Sequence, residues 1–206
     1  ASALNGQNAG SAGQNMYNVA IGYNSGGSVT TGDTNAFVGG LTGNAVTTGS
    51  DNAAFGYNSL GALTTGVENI AIGADAMSEL TTGLSNVAIG KSAMRQSDSG
   101  ESQNVAIGYK ALEDLDSPEN NNNVAVGFYA ATNLTTGATN TALGFQAMGV
   151  GVTTGDNNVA LGGNSGRALT SGAQNVFIGV DAGLANTTGT GSIAIGDAAL
   201  SHEDDH

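Results

Sequence analysis

The chain has 206 residues, including 34 glycines, no cysteine and only four lysine or arginine residues against 17 acidic ones. The net charge of −13 argues against nucleic-acid binding, which needs basic side chains to displace phosphate counterions, and against anionic membrane surfaces. No apolar run reaches the roughly 18 residues of a membrane-spanning helix, while 39% apolar residues with abundant glycine indicate a regular fold that places glycine at fixed turns.

A 17-residue repeat runs along the chain. Its most regular part is an asparagine, an apolar tripeptide and a glycine, first clear at Asn18–Gly22. This glycine recurs eleven times at spacings of 17 to 19 residues, as Gly22, Gly39, Gly56, Gly73, Gly90, Gly108, Gly127, Gly144, Gly162, Gly179 and Gly196. A worn twelfth copy aligns Ser2–Asn5 with Val19–Gly22. The repeat predicts one domain over residues 1–200, followed by a short acidic tail, residues 201–206.

Each copy predicts one coil of an all-β fold, a parallel β-solenoid or β-roll of about twelve coils. The apolar tripeptide is a short strand, the glycine a corner, the following segment a second short strand, and a Thr-Thr-Gly segment such as Thr64–Gly66 the closing turn. Stacking at about 4.8 Å gives a rod roughly 55–60 Å long. The asparagine column is predicted to form side-chain amide ladders.

The middle residue of the tripeptide is small, and its two neighbours are bulky. Successive strand residues point to opposite faces, and a strand with one wet face would alternate apolar and polar residues. Here both faces are apolar, so we expect one face to fill the coil and the small residues to meet other copies of the chain at close range. The alternative is a monomer with a weakly apolar outer face of alanine. The predicted homotrimer interface is Ala20, Phe37, Ala54, Ala71, Ala88, Ala106, Ala125, Ala142, Ala160, Phe177 and Ala194.

The pattern Asn-Val-Ala-Ile-Gly-Tyr, followed by alanine or serine and then by Thr-Thr-Gly-X-X-Asn, resembles the head repeat of trimeric autotransporter adhesins. It is even more similar to the 17-residue repeat arrays of phage tail fibres. The resemblance implies a left-handed parallel β-roll, three chains per fibre and attachment to a host surface. The expected function is a structural or adhesive segment of a phage tail fibre, extracellular and on the virion. The alternatives are the head of a bacterial surface adhesin and a self-assembling extracellular filament, the latter because obvious caps are lacking.

The chemistry of the chain favours binding over catalysis, and no cofactor is predicted. The only histidines, His202 and His206, lie in the acidic tail, where a catalytic triad is not expected and a solvated end is favoured over a metal site. Two features could recognise a host glycan or protein. One is a strip of aromatic residues after successive corner glycines, and the other is the longest coil, which replaces Thr-Thr-Gly with an acidic insertion. The candidate residues are Tyr109, Phe128, Tyr129, Phe145, Asp114 and Asp116, with corner packing and plain tolerance of loop length as the alternatives.

Overall fold

The computed structural model describes residues 3–4, 16–98, 100–117 and 121–202. Eleven three-residue strands form a single parallel sheet, and each strand pairs with the next one in the sequence. The prediction of an all-β parallel solenoid is therefore confirmed. The strands are β1 Val19–Ile21, β2 Ala36–Val38, β3 Ala53–Phe55, β4 Ile70–Ile72, β5 Val87–Ile89, β6 Val105–Ile107, β7 Val124–Val126, β8 Thr141–Leu143, β9 Val159–Leu161, β10 Val176–Ile178 and β11 Ile193–Ile195.

The register of the sheet follows the sequence repeat. Ala71 pairs with Ala88, which lies 17 residues later, and Ala88 pairs with Ala106, which lies 18 residues later. The extra residues of the longer coils therefore lie in the turns and leave the strand pairing unchanged. Equivalent side chains consequently form straight columns along the rod.

The second strand predicted for each coil is not formed in the described residues, where turns follow the corner glycine. Backbone conformation explains the difference, because the second and fourth residues after the glycine are left-handed: φ is 57° at Asp75 and 48° at Met77. Alternation between left- and right-handed conformations is incompatible with an extended strand. The coils still stack through these turns, since the Asp75 N–H donates to the Tyr57 carbonyl at 3.0 Å and the Met77 N–H donates to the Ala93 carbonyl at 3.0 Å.

The asparagine ladder predicted from the sequence is present. Asn69 is fully buried, and its side-chain amide donates to Asn52 Oδ1 at 3.1 Å and to the Gly83 carbonyl at 2.8 Å. Its own Oδ1 accepts from the backbone N–H and from the side-chain amide of Asn86, both at 3.1 Å. Each asparagine thus joins three coils, which satisfies buried backbone groups that no strand pairing reaches.

The prediction that the small middle residues face a neighbouring chain is wrong. These side chains point into the coil of their own chain and form its core, together with leucine and methionine side chains from the turns. Among them, Phe37, Ala54, Ala71, Ala88, Ala106, Ala125, Ala142, Ala160 and Phe177 are fully buried, Ala194 is 3% exposed, and Ala20 is partly buried against the same core. Alanine suits most of these positions because a large buried side chain from the turn, such as Leu60 or Met77, shares the coil interior.

The alignment of Ser2–Asn5 with a strand is also wrong where the structure describes it. The Leu4 N–H donates to the Ser25 carbonyl, in the same way that the Gly26 N–H donates to the Thr42 carbonyl one coil later. Leu4 therefore occupies the position equivalent to the fourth residue after a corner glycine, and its side chain packs against the core. Residues 1, 2 and 5–15 lie outside the described residues.

Candidate functional site

The first candidate surface is the outer strand face, which we define as the first and third residues of β1–β11. All of these residues are apolar except Thr141, and their side chains point away from the coil. Ile72 is 39% exposed in β4, inside the sheet, and Ile195 is 66% exposed in β11, at one end. The bulky residues expected to fill the interior thus form an apolar stripe along the whole sheet. Such a contiguous stripe is unusual for a solvated β-surface.

The second candidate surface is the aromatic ladder, which consists of Tyr109, Phe128 and Phe145 at the first position after successive corner glycines. The ring centroids of Tyr109 and Phe128 are 5.1 Å apart, and those of Phe128 and Phe145 are 5.8 Å apart at an interplanar angle of 12°. Tyr129 meets Tyr109 and Phe128 edge to face. The structure therefore brings all four predicted aromatic residues together. Their mutual stacking, however, covers the inner ring faces that a sugar would need.

An ion-pair network lies beside the aromatic ladder. Glu113 is almost fully buried and pairs with Lys110 Nζ at 2.8 Å and with Arg95 Nε at 3.2 Å, and Arg95 Nη1 also reaches Glu79 at 3.5 Å. The hydrogen bond to Glu113 raises the pKa of Lys110 above its ordinary value. Two of the four basic residues of the chain are thus neutralised by buried or half-buried carboxylates and anchor the corner instead of forming a free cationic patch.

Tyr129 and Asp114 also carry perturbed groups. Desolvation and the neighbouring Tyr109 raise the pKa of the Tyr129 phenol. Burial, and then the negative charge of Glu113, raise the pKa of Asp114, while Lys110 acts in the opposite direction. Asp114 therefore sits next to the ion-pair network as a partly desolvated carboxylate without a salt bridge of its own among the described residues.

The other predicted acidic residue, Asp116, belongs to a different group. One carboxylate oxygen from each of Asp98, Glu101 and Asp116 lies within 4.8 Å of the others. Glu101 is fully buried, and its Oε1 accepts from the Ser117 N–H at 3.2 Å. Asp98 and Glu101 were missed from the sequence because they come from the preceding coil. The signal was that two successive coils both lack Thr-Thr-Gly. Three oxygen ligands could approach one divalent cation, but carboxylates alone do not establish a metal site.

The acidic tail is described only to His202, whose Nδ1 lies 3.0 Å from Ser201 Oγ. The remaining predicted tail residues, 203–206, lie outside the described residues. In the described part of the chain, no helix is long and apolar enough to span a bilayer.

Comparison with known proteins gave no match: no family model, no curated protein and no solved structure is significantly similar to the chain.

Proposed function

We propose that the chain is a structural segment of an extracellular fibre, of the phage tail-fibre kind, in which three copies associate through the outer strand face. The observation that carries the proposal is that the strands are apolar on both sides, with Thr141 as the one polar residue among them. The inner side is buried in the chain itself, and the outer side exposes residues such as Ile70 (40%) and Leu143 (47%). Water-facing strands usually carry polar residues at alternate positions, so an outer side of this composition favours burial against a partner.

The size of the outer strand face suits a stable association. Eleven strands at a spacing of about 4.8 Å make a stripe roughly 48 Å long. The apolar patches that ordinary monomers tolerate are about 300–600 Å² in area. A continuous stripe of valine, isoleucine and leucine side chains of this length supplies the large apolar area that obligate homo-oligomers bury. No charged residue occurs among its members, although the chain carries a net charge of −13.

A second copy of the chain fits the outer strand face better than a helical partner does. The side-chain rows of the stripe repeat every 4.8 Å or so along the rod. A helix advances about 5.4 Å per turn, so its ridges would fall out of step with these rows within a few coils. A second copy has the same repeat and keeps its rows in step over the full length. The number three comes from the resemblance to fibre and adhesin repeats.

Native mass tests the proposal. Light scattering on purified protein should give about three times the chain mass of 20.1 kDa. Ile72→Asp places a charge within the outer strand face, at β4, and we expect it to reduce the mass to that of one chain, because burying an unpaired carboxylate is strongly unfavourable. Thr65→Asp is the matched control, since Thr65 is exposed in a Thr-Thr-Gly turn, and it should leave the mass unchanged.

A soluble native monomer, or an Ile72→Asp protein with the native mass, would overturn the assembly proposal. Circular dichroism on the same samples checks that the variant still folds. We expect an unchanged β-sheet spectrum, because the Ile72 side chain is not part of the coil core. The alternative function, the head of a bacterial surface adhesin, predicts the same association through the outer strand face. The full-length gene distinguishes these two functions, because it is expected to encode a self-cleaving chaperone domain in a phage fibre and a membrane-anchor barrel in an adhesin.

A further inference from the structure

The aromatic ladder ends at an open slot. Phe145 stacks on Phe128 with one ring face only and is 53% exposed. The equivalent position in the next coil is Gly163, and a Cβ atom built there would meet no heavy atom within 4 Å. The column then continues with Val180, which is 52% exposed. The ring face of Phe145 that points away from Phe128 therefore borders a gap in the column, with Gly163 as its floor.

The gap has the thickness of one saturated ring. Phe145 and Val180 are two coils apart, or about 9.6 Å at the usual strand spacing. A ring in van der Waals contact with Phe145 would lie about 4 Å away from it, directly over Gly163, with room left before Val180. A second glycine in the same column, Gly40, does not leave such a gap, because the Tyr57 ring comes within 3.6 Å of its Cβ position.

Polar residues stand next to the slot in the sequence. Asn164 and Asp181 follow Gly163 and Val180 directly, and Asn164 Nδ2 donates to Asp181 Oδ1 at 2.9 Å. Backbone hydrogen bonds fix their position beside the column, since the Asn164 N–H donates to the Phe145 carbonyl at 2.8 Å and the Asp181 N–H donates to the Gly163 carbonyl at 2.9 Å. Because the Asn164 amide nitrogen donates to Asp181 Oδ1, the Asn164 Oδ1 and Asp181 Oδ2 atoms remain as hydrogen-bond acceptors beside the column.

We propose that this slot, formed by Phe145, Gly163, Asn164 and Asp181, binds the ring of a hexopyranose from a cell-surface glycan. The inference rests on the proposed fibre function, and it supplies the class of receptor. A pyranose has an apolar C–H face for the Phe145 ring and a rim of hydroxyl groups for the amide and carboxylate oxygens. An aromatic side chain of a protein partner would also stack on Phe145, but it would leave these acceptors without donors, which costs affinity.

The test uses the full chain and a panel of simple probes: the methyl glycosides of glucose, galactose, mannose and N-acetylglucosamine at millimolar concentration. Saturation-transfer NMR should show binding of at least one of them through its ring C–H protons. Gly163→Val fills the slot without a clash, and Phe145→Ala removes its wall, so each should weaken binding tenfold or more. Tyr23→Ala is the matched control, because Tyr23 is an exposed aromatic residue of the same column outside the slot.

The proposal is overturned if no glycoside binds, if Gly163→Val binds as the native protein does, or if only a peptide containing phenylalanine or tyrosine binds. Native mass is measured on the same samples. A trimer that binds no sugar refutes the slot and leaves the fibre function standing. A monomer that binds sugar refutes the assembly and leaves the slot, since the slot is built from one chain.

Discussion

The ring of Phe37 occupies the space in which a side chain at Gly43 would lie: a Cβ atom built on Gly43 would be 2.7 Å from Phe37 Cε1. Phe37 also comes within 3.1 Å of the Cβ position of Gly26, one coil earlier. In most coils whose strand carries alanine, the equivalent turn position holds a large buried residue such as Leu60 or Met77. Gly26 and Gly166 are exceptions that lie against the phenylalanine of the following coil, and Ala131 is a third exception. A phenylalanine in the strand thus fills the volume that a leucine or methionine from the turn fills in most other coils.

This exchange predicts that a leucine at position 43 compensates for the loss of the Phe37 ring. Phe37→Ala should lower the unfolding free energy by about 3–5 kcal/mol, because it opens a cavity in a fully packed coil. Gly43→Leu alone should also destabilise, by steric overlap with the ring. The double variant recreates the alanine-and-leucine pattern of other coils, and Gly43 has a φ of 55°, close to the 51° of Leu60. Denaturant unfolding of the three variants should give a strongly favourable coupling energy, and additive losses would contradict this packing.

The same pair shows why the alternation of residues along each strand could not predict which strand face points into the coil. The repeat, the parallel pairing and the asparagine ladder followed from the 17-residue period. The assignment of the inner and outer strand faces did not follow from this period, because both faces are apolar. The signal that decides it was present in the sequence, because each of the two exceptions in the alanine column has glycine at the fourth turn position of its own coil and of the preceding coil. Phe37 lies between Gly26 and Gly43, and Phe177 lies between Gly166 and Gly183.

The candidate site was predictable only in part. Aromatic residues at one repeat position had to form a column, so the stacking of Tyr109, Phe128 and Phe145 followed from the period. The open slot at Gly163 and the filled one at Gly40 differ in the residue of the following coil, which is Val180 after Gly163 and Tyr57 after Gly40. Spacing does not tell that the Tyr57 ring lies over the glycine. The group of Asp98, Glu101 and Asp116 depends on how two irregular turns fold, and insertions of different length leave this undetermined.

Ser97 places a polar side chain in the apolar core. It occupies the column of Leu80 and Leu115, seven residues after the corner glycine, and it is fully buried with no hydrogen-bond partner for its Oγ among the described residues. We expect Ser97→Leu to raise the unfolding free energy by about 1–2 kcal/mol, because it removes an unsatisfied hydroxyl and adds buried apolar surface. Leu80→Ser is the reverse control and should destabilise. Thermal melts of both test this, and a lower melting temperature for Ser97→Leu would contradict the assignment.

Replacing Asp114 by asparagine should stabilise the fold in a pH-dependent way. Its pKa is raised by burial and by Glu113, so ionisation costs more in the folded chain than in the unfolded one. This penalty is present above the folded pKa and disappears as the pH falls below the unfolded value, near 3.8. Asp114→Asn should therefore raise the melting temperature at pH 7, and the gain should vanish at about pH 3.5. Asp51→Asn, in an exposed turn, is the control, and an equal gain in both variants would refute the explanation.

The asparagine ladder gives the sharpest test of what holds successive coils together. Asn69→Asp keeps the shape of the side chain and an oxygen that can accept from Asn86, but it removes the donor to Asn52 and to the Gly83 carbonyl. At neutral pH a buried carboxylate would then face two acceptors, so we expect a loss of several kcal/mol. Protonation restores one donor, and burial raises the pKa of the introduced carboxyl.

The loss in Asn69→Asp should accordingly be largest at pH 7 and smaller at pH 4, where part of the folded population carries the neutral acid. Asn69→Ala separates the charge from the missing hydrogen bonds, because its loss should depend little on pH. Chemical unfolding of the two variants at both pH values measures the difference. If Asn69→Asp were as stable as the native chain at pH 7, the buried amides would contribute little, and coil stacking would rest on the apolar core alone.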